Sequence, residues 1–268
     1  MKKKLLRLTK RMRLTKRKEF VIVTIILTIG FVAMQLLGPG SHFYVLAGLT
    51  IAAYFLSALT LRENLTGLKW FTILVLPALF TLSLGLFYFL LPVRWLTRIP
   101  MAVLYALGMY SILLVENIYS VAVTRSIQLL RVAHVIGFVV TLTTLFFLTN
   151  TIFTFRFSAY TNFIVIFLLQ IPLIIQSLWS IELSEKMPKN IIMYSTFFAL
   201  IGAEGAFIIS FWPLSPLLSS LFLTLVSYTL LGIGHHYVAN RLFRTNVIEY
   251  VRVFIIVFII ILLTTRYR

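Results

Sequence analysis

The chain alternates between long apolar stretches and short polar breaks along almost its whole length. A helix needs about 20 mostly apolar residues to cross the hydrocarbon core of a membrane. Nine stretches meet this requirement, so the pattern predicts an all-α, polytopic transmembrane helix bundle with nine spans. The predicted spans are residues 20–37, 42–61, 70–91, 99–122, 129–155, 161–183, 190–212, 215–240 and 247–265.

Turn-forming residues mark the breaks between the predicted spans. Gly38, Pro39 and Gly40 follow the first span, and Pro213 and Pro216 lie between the seventh and the eighth. Proline cannot continue a helix, and glycine tolerates the backbone angles of tight turns. No break is long enough to hold a soluble domain. The sequence therefore predicts a basic N-terminal tail at residues 1–19 and a single transmembrane helical domain at residues 20–268.

Composition narrows the class of protein further. Hydrophobic residues make up 60% of the chain and charged residues 12%, and the mean hydropathy is +1.02. An ordinary soluble domain carries roughly 25% charged residues, so a soluble globular protein is excluded. The chain has no cysteine, which excludes disulfides, thiolate metal sites and cysteine nucleophiles. All seven acidic residues are glutamates, which excludes chemistry that needs a pair of aspartates.

The distribution of positive charge predicts how the chain is oriented. Of the 24 Lys and Arg residues, the nine-span arrangement places 19 on the side of the N-terminus and 5 on the other side. Cytoplasmic loops carry the excess of Lys and Arg in membrane proteins. We therefore expect a multipass protein of the cell inner (plasma) membrane with its N-terminus in the cytoplasm and its C-terminus outside.

The tail contains the pentapeptide Arg-Leu-Thr-Lys-Arg twice, at residues 7–11 and 13–17. It is either a polybasic clamp on anionic lipid headgroups, worth about 1 kcal/mol per charge, or a topology signal that holds the N-terminus inside. Because the net charge of +17 comes largely from the tail and the loops, we expect no nucleic-acid partner. The candidate headgroup-binding cations are Lys2, Lys3, Lys4, Arg7, Lys10, Arg11, Arg13, Lys16, Arg17 and Lys18.

Glu204 is the clearest ionisable residue inside a predicted span. An ionisable side chain at the bilayer centre costs at least about 2.5–3.5 kcal/mol, so its presence needs a reason. Gly202, Ala203, Gly205 and Ala206 flank it, and small residues let another helix approach closely. We expect Glu204 to be buried and neutral. It is either a proton or cation relay or a substrate-binding carboxyl, or it joins two helices through one hydrogen bond.

A second cluster is expected at the cytoplasmic ends of the fourth and fifth spans. Glu116 and Asn117 lie near the end of the fourth span and Arg125 in the connection. Arg131 and His134 open the fifth span. A pair of Glu116 with Arg125 or Arg131 would lower the cost of burying the carboxylate. The cluster is either a structural ion pair at the rim or a polar pocket that faces the cytoplasm.

His235 and His236 lie near the cytoplasmic end of the eighth span, at a level that His134 can share. Histidine is the commonest metal ligand, and Glu116 or Glu182 could complete a metal site, or two histidines could bracket a haem. Adjacent residues on a helix point about 100° apart, so only one of His235 and His236 readily faces a given site. The ordinary outcome is interfacial histidines bonded to carbonyls or lipid phosphate. We therefore expect neither a metal nor a cofactor.

Catalytic motifs are mostly missing from the sequence. It contains no His-Glu-x-x-His, Gly-x-Ser-x-Gly or P-loop pattern. Residues 236–240, His-Tyr-Val-Ala-Asn, resemble the last motif of the CAAX-type intramembrane endopeptidases. That family also needs paired glutamates with an arginine nearby, whereas Glu204 is single. The missing parts favour a protein that is not an enzyme.

Several short strings together resemble one family. They are Val115-Glu116-Asn117-Ile118-Tyr119-Ser120-Val121-Ala122, Arg125-Ser126-Ile127-Gln128-Leu129-Leu130-Arg131, Ala203-Glu204, Ser210-Phe211-Trp212-Pro213 and Arg241-Leu242-Phe243. On these residues the chain resembles an uncharacterised bacterial multipass membrane family, a domain of unknown function met mainly in candidate-phyla bacteria, over roughly residues 40–265. The resemblance implies no activity, substrate or cofactor. It draws attention to Glu116, Asn117, Arg125, Arg131, Glu204 and Trp212.

The leading functional prediction is a non-enzymatic structural or assembly component of an inner-membrane complex, because the chain has few charges and no complete catalytic set. One alternative is a small-solute, ion or lipid transporter that uses Glu204 and a cytoplasmic-side cluster of Glu116 and Arg131. Another is an intramembrane enzyme built on Glu204 and His236. The expected partners are membrane lipids, with anionic headgroups at the tail, and either other membrane proteins or further copies of this chain.

Overall fold

The computed structural model describes residues 16–36, 41–62, 67, 69–92, 94–122, 128–184 and 186–265. Within these residues the chain forms nine α-helices, and each is long and apolar enough to cross a membrane, which confirms the predicted fold class and span count. The helices are α1 Lys16–Leu36, α2 His42–Leu61, α3 Lys69–Tyr88, α4 Trp95–Ala122, α5 Leu130–Thr154, α6 Ala159–Glu182, α7 Lys189–Ile209, α8 Pro216–Val238 and α9 Arg244–Thr264.

The first helix begins earlier than the hydropathy pattern predicted. Helix α1 starts at Lys16 rather than at residue 20, so Lys16, Arg17 and Lys18 are helical. The Lys16 ammonium donates a hydrogen bond to the Thr60 carbonyl at 3.1 Å and lies 3.8 Å from the Glu19 carboxylate. These contacts hold the start of α1 beside the end of α2. The predicted headgroup-binding cations at positions 2–13 lie outside the described residues.

Capping chemistry explains where α6 and α8 begin. The Ser158 hydroxyl accepts a hydrogen bond from the Thr161 amide at 3.3 Å, and the Ser215 hydroxyl accepts one from the Leu218 amide at 3.4 Å. Pro216 follows Ser215 at the first position of α8, where a missing amide hydrogen costs nothing. These caps satisfy amides that have no partner within the helix.

Successive helices run antiparallel, so the bundle has two ends. We call the end at which α1 begins the proximal end and the other the distal end. At the distal end the Asn150 amide donates to the Ser220 hydroxyl at 3.2 Å, which joins the end of α5 to the start of α8. There too, the Asn162 amide donates to the Ser210 hydroxyl at 2.9 Å and joins α6 to α7. Turns α1–α2, α3–α4, α5–α6 and α7–α8 are therefore distal.

Helices α3, α5 and α6 form the centre of the bundle, and α9 lies at its edge. Helix α6 packs along α7 more closely than any other pair, whereas α9 contacts chiefly α8. Only Ile261 of α9 is buried. The distal end has its own small apolar cluster, and Trp212 packs against it. The resemblance drew attention to Trp212, and its packing gives this residue a structural role.

A stack of aromatic rings forms the core between α1, α3 and α4. The Phe31 and Tyr105 rings are stacked with centroids 4.5 Å apart, and the Phe80 ring is stacked on Tyr105 at 6.0 Å. Phe80 is 1% exposed. A Cβ atom at Gly108 would overlap the Phe80 ring, because α3 and α4 approach closely at this glycine.

We expect Gly108→Ala to lower the free energy of unfolding by about 1–3 kcal/mol, because the stacked Phe80 ring has no free space to enter. The measurement is equilibrium unfolding in detergent micelles. Gly48→Ala on α2 is the matched control, since a Cβ there meets nothing within 4 Å. Equal effects of the two substitutions would contradict close packing at Gly108.

Candidate functional site

A cavity of about 460 Å³ lies at the proximal end between α5, α6, α8 and α9. We call it the His–Arg cavity. Its apolar walls include Leu130, Val135, Phe138 and Ile181. None of the described residues that line it is acidic. Its polar lining residues are Arg131, His134, His235, His236, Arg241 and Tyr250.

The cavity brings together four of the predicted site residues. Arg131 is exposed and His134, His235 and His236 are half-buried. The structure therefore supports the expectation that the three histidines share one level of the bundle, although they come from two helices. Arg241, which the sequence analysis noted only within a family string, adds a second guanidinium. Five groups that carry or can accept a positive charge thus face one space.

Each of the three histidines has one ring nitrogen bound to the protein. His134 Nε2 lies 2.9 Å from the Ser180 carbonyl oxygen, and since a carbonyl only accepts, Nε2 carries the hydrogen. His235 Nε2 lies 2.9 Å from the Ser177 hydroxyl. His236 Nδ1 accepts a hydrogen bond from the Asn246 amide at 3.1 Å. These bonds orient the rings and leave their other nitrogens for a ligand.

Helix α6 supplies a polar surface that bonds to two histidines of this site. Gln176, Ser177 and Ser180 are spaced so that they lie near each other on one side of the helix. All three are buried, and the Ser180 hydroxyl donates to the Ser177 carbonyl at 2.7 Å. The sequence analysis did not single them out. The sequence did indicate a polar site here, because three polar residues within one turn interrupt an otherwise apolar span.

Glu116 lies in the core of the bundle rather than at its rim. It is 0% exposed, and its Oε1 atom accepts a hydrogen bond from Gln176 Nε2 at 2.7 Å. The predicted ion pair with Arg131 is not formed, since Arg131 is exposed at the cavity. Arg125, the other predicted partner, lies outside the described residues. Glu116 Oε2 and Gln176 Oε1 are both buried without a hydrogen-bond partner.

Tyr119 fills the space between Glu116 and the cavity. It follows Glu116 by one turn of α4, and its hydroxyl donates to the Ala133 carbonyl at 3.0 Å. Its ring centroid lies 5.7 Å from that of His134. Asn117, next to Glu116, is half-buried, and its carbonyl accepts a hydrogen bond from the Ser120 hydroxyl. Packed side chains therefore separate the buried carboxyl from the cavity.

Glu204 is not buried, contrary to the prediction. It is exposed on the outer surface of α7, beside a groove of about 390 Å³ lined by Tyr160, Phe163, Phe207 and Ile208. The small residues around it do pack closely, but they face inward. A Cβ atom at Gly202 would overlap the Gln170 side chain, and one at Gly205 would lie 3.2 Å from Leu223.

Glu204 and His236 lie at different depths. Glu204 is 15 residues beyond the proximal start of α7, or about 22 Å at 1.5 Å per residue. His236 is two residues before the proximal end of α8. Glu204 and His236 were the basis of the hypothesis of an intramembrane enzyme, and the structure does not bring them together. For the same reason Glu204 cannot share one binding space with Arg131.

The histidines do not form part of a metal-ligand cluster. Among the described residues, no group of three His, Cys, Asp or Glu side chains is arranged to hold a metal ion. Glu182, a predicted completing ligand, is exposed. Glu116, the other one, is bonded to Gln176.

A comparison with family models matches residues 43–264 to a family described as "Protein of unknown function (DUF5656)". This match covers more than half of the chain and most of the stretch over which the resemblance was expected. Neither the curated proteins nor the solved structures contain a significant match.

The Glu116–Gln176 bond can be tested by removing one partner or both. We expect Gln176→Met to lower the free energy of unfolding by about 1–3 kcal/mol, because a buried carboxyl loses its one described hydrogen bond. The double variant Glu116→Met, Gln176→Met is expected to be more stable than Gln176→Met, since it buries no unpaired polar group. The measurement is equilibrium unfolding in detergent. Additive losses in the double variant would contradict the coupling.

Proposed function

We propose that this chain, which belongs to the DUF5656 family of proteins of unknown function, binds the phosphate group of an anionic amphiphile in the His–Arg cavity. The observation that carries the proposal is the meeting of two guanidinium groups and three imidazole rings in one space, without an acidic side chain among its described lining residues. Its ligand class is a phospholipid or another phosphate ester with an apolar chain.

The chemistry of the lining supports a phosphate ligand. The planar guanidinium groups of Arg131 and Arg241 match phosphate oxygens with paired hydrogen bonds. Of the imidazole nitrogens that remain, His134 Nδ1 donates only when its ring is protonated, because Nε2 carries the hydrogen of the neutral ring. His236 offers an Nε2 hydrogen when its ring is neutral, because its Nδ1 atom accepts from Asn246. A carboxylate in this lining would repel a phosphate, and none of the described lining residues carries one.

The position of the cavity supports an amphiphile rather than a fully water-soluble anion. It lies where four spans end, at the level of the membrane surface, and Leu130, Val135 and Phe138 form part of its wall. A phosphate held by the arginines would thus have an apolar surface beside it for an acyl chain. Of the transporter alternative, the proposal therefore keeps a lipid as the ligand and Arg131 as a contact, but not Glu204 or Glu116.

Binding, rather than transport across the bundle, is the function that the packing supports. Tyr119 and the polar surface of α6 fill the space between the cavity and Glu116. The polar groups of the site are also confined to the proximal end. An assembly role in a larger complex is compatible with such a site, because bound lipids often lie between membrane subunits.

We also propose that the proximal end faces the cytoplasm of a cell with an inner (plasma) membrane. The support is the excess of Lys and Arg that the nine-span arrangement places at this end. An anionic inner leaflet would then supply the ligand directly to the cavity.

The orientation can be tested by cysteine labelling, because the natural chain has no cysteine. We expect a membrane-impermeant maleimide to label Ser158→Cys and Leu214→Cys, which lie in distal turns, in intact cells of an expression host. Gln128→Cys and Ser184→Cys in proximal turns should react only after lysis. The reverse pattern would overturn the proposed orientation.

Ligand binding can be measured by native mass spectrometry of the full chain in neutral detergent. We expect wild-type protein to retain phosphatidylglycerol at least about tenfold more tightly than phosphatidylcholine with the same acyl chains. Arg131→Gln with Arg241→Gln should remove this preference, because each lost charged hydrogen bond is worth about 1.5–3 kcal/mol. Arg94→Gln with Arg156→Gln removes two exposed distal arginines and is the matched control.

Two results would contradict the binding proposal. One is equal retention of the two phospholipids by wild-type protein. The other is an equal loss of preference in the control pair. Competition with inorganic phosphate tests whether the apolar part of the ligand contributes to binding. If inorganic phosphate displaced the lipid at a concentration similar to that of the lipid, the acyl chain would add no affinity.

A further inference from the structure

Glu204 presents a physical problem that the described part of the chain does not solve. The carboxyl is exposed on the outer surface of α7, five residues before the distal end of that helix, or about 8 Å into it. No described residue is within hydrogen-bonding distance of it. In a bilayer this surface faces hydrocarbon, where an unpaired polar group costs several kcal/mol. None of the described residues offsets this cost, whereas a partner outside the chain would.

Glu204 interrupts an apolar stripe along the outer surface of α7. The other stripe residues are exposed, and they recur three or four positions apart, which is the spacing of a seam between two helices. The stripe consists of Met193, Phe197, Leu200, Glu204, Ile208 and Phe211. Gly202 and Gly205 pack inward on α6 and α8, on the side of the helix away from Glu204.

We propose that the α7 stripe forms a two-fold interface with a second copy of this chain, in which the two Glu204 carboxyl groups hydrogen-bond to each other. A protonated carboxyl has one donor and an acceptor oxygen, so two such groups, or one with one carboxylate, satisfy each other without another residue type. The interface is therefore self-complementary, as a two-fold interface between identical chains must be.

Depth in the membrane favours this pairing over other pairings between copies. A two-fold axis along the membrane normal keeps every residue at its own depth, so Glu204 meets Glu204 of the partner subunit at the same level. Two described arginines lie three or more residues inside a span: Arg98 of α4, whose guanidinium already lies over the Trp95 ring, and the exposed Arg252 of α9. Arg252 is eight residues from the proximal start of α9, or about 12 Å, whereas Glu204 is about 22 Å from the start of α7. The two groups are displaced by about 10 Å.

The groove beside Glu204 gives the interface its shape. Tyr160 and Phe207 line it together, with their rings in edge contact at 5.3 Å between centroids, and Ile208 lies one turn beyond Glu204. A stripe residue of the second copy can occupy this groove while the carboxyl groups meet. The interface is separate from the His–Arg cavity, which is proximal, so the inference does not depend on the proposed ligand.

Disulfide cross-linking in native membranes tests the interface, because no natural cysteine competes. We expect Leu200→Cys and Ile208→Cys, one turn on either side of Glu204, to give at least about fivefold more cross-linked dimer than the controls. The controls are Leu107→Cys on α4 and Val139→Cys on α5, which lie on other helices and are both more exposed than Leu200. Cross-linking no stronger than in the controls, or only to a different protein, would overturn the proposal.

A second measurement distinguishes the contribution of the Glu204 carboxyl to dimerisation from that of the apolar stripe. The dimer fraction of labelled full-length chain is measured by energy transfer at a series of lipid-to-protein ratios. We expect Glu204→Gln to change the dimerisation constant by less than about threefold, since an amide also has a donor and an acceptor. Glu204→Leu should weaken it at least about fivefold, while its helical circular dichroism shows that it still folds. Dimerisation of Glu204→Leu as strong as that of the wild type would overturn the carboxyl pair.

Discussion

The lack of water in the hydrocarbon core is the main physical constraint on the polar groups of this protein. A buried hydroxyl, amide or carboxyl in that region needs a partner supplied by the protein itself. Hydroxyl groups find one locally: Thr81, Thr149 and Thr151 each donate to the carbonyl four residues earlier on the same helix. These bonds let polar residues occupy apolar spans without forming a site.

The larger polar groups satisfy the same constraint in three different ways. Glu116 takes its partner from another helix, Gln176 on α6. The cavity histidines each bond to the protein through one nitrogen and lie near the membrane surface, where the other nitrogen can meet water or a ligand. Glu204 does neither, because it points away from the bundle. No described residue of the chain pairs with it, which is why we propose a partner in a second copy.

Hydropathy was sufficient to predict the helices and their number, because membrane insertion depends on apolarity averaged over about 20 residues. It also predicted that His134, His235 and His236 share one level, since depth follows from position along a span. It could not predict which way a side chain points around the helix axis. Glu204 was expected to be buried because flanking glycines signal close packing, but those glycines face α6 and α8 while the carboxyl faces outward.

The partner of Glu116 could not be predicted from the sequence, for a related reason. Gln176 is 60 residues away, and α4 meets α6 only through the packing of the whole bundle. Charge complementarity suggested Arg131 instead, which lies on the surface at the proximal start of α5. An amide can bond to a carboxyl inside the bundle without bringing a second charge out of water, and a guanidinium cannot. The buried position therefore suits glutamine better than arginine.

The loose attachment of α9 has a consequence for how a ligand reaches the cavity. Tyr250 and the Asn246–His236 bond make α9 one wall of that space, yet this helix buries one residue and contacts chiefly α8. Displacing it disturbs little of the core. If the ligand is a lipid, as we propose, the edge of the bundle beside α9 would give its headgroup a lateral entrance to the cavity while its tails stay in the membrane.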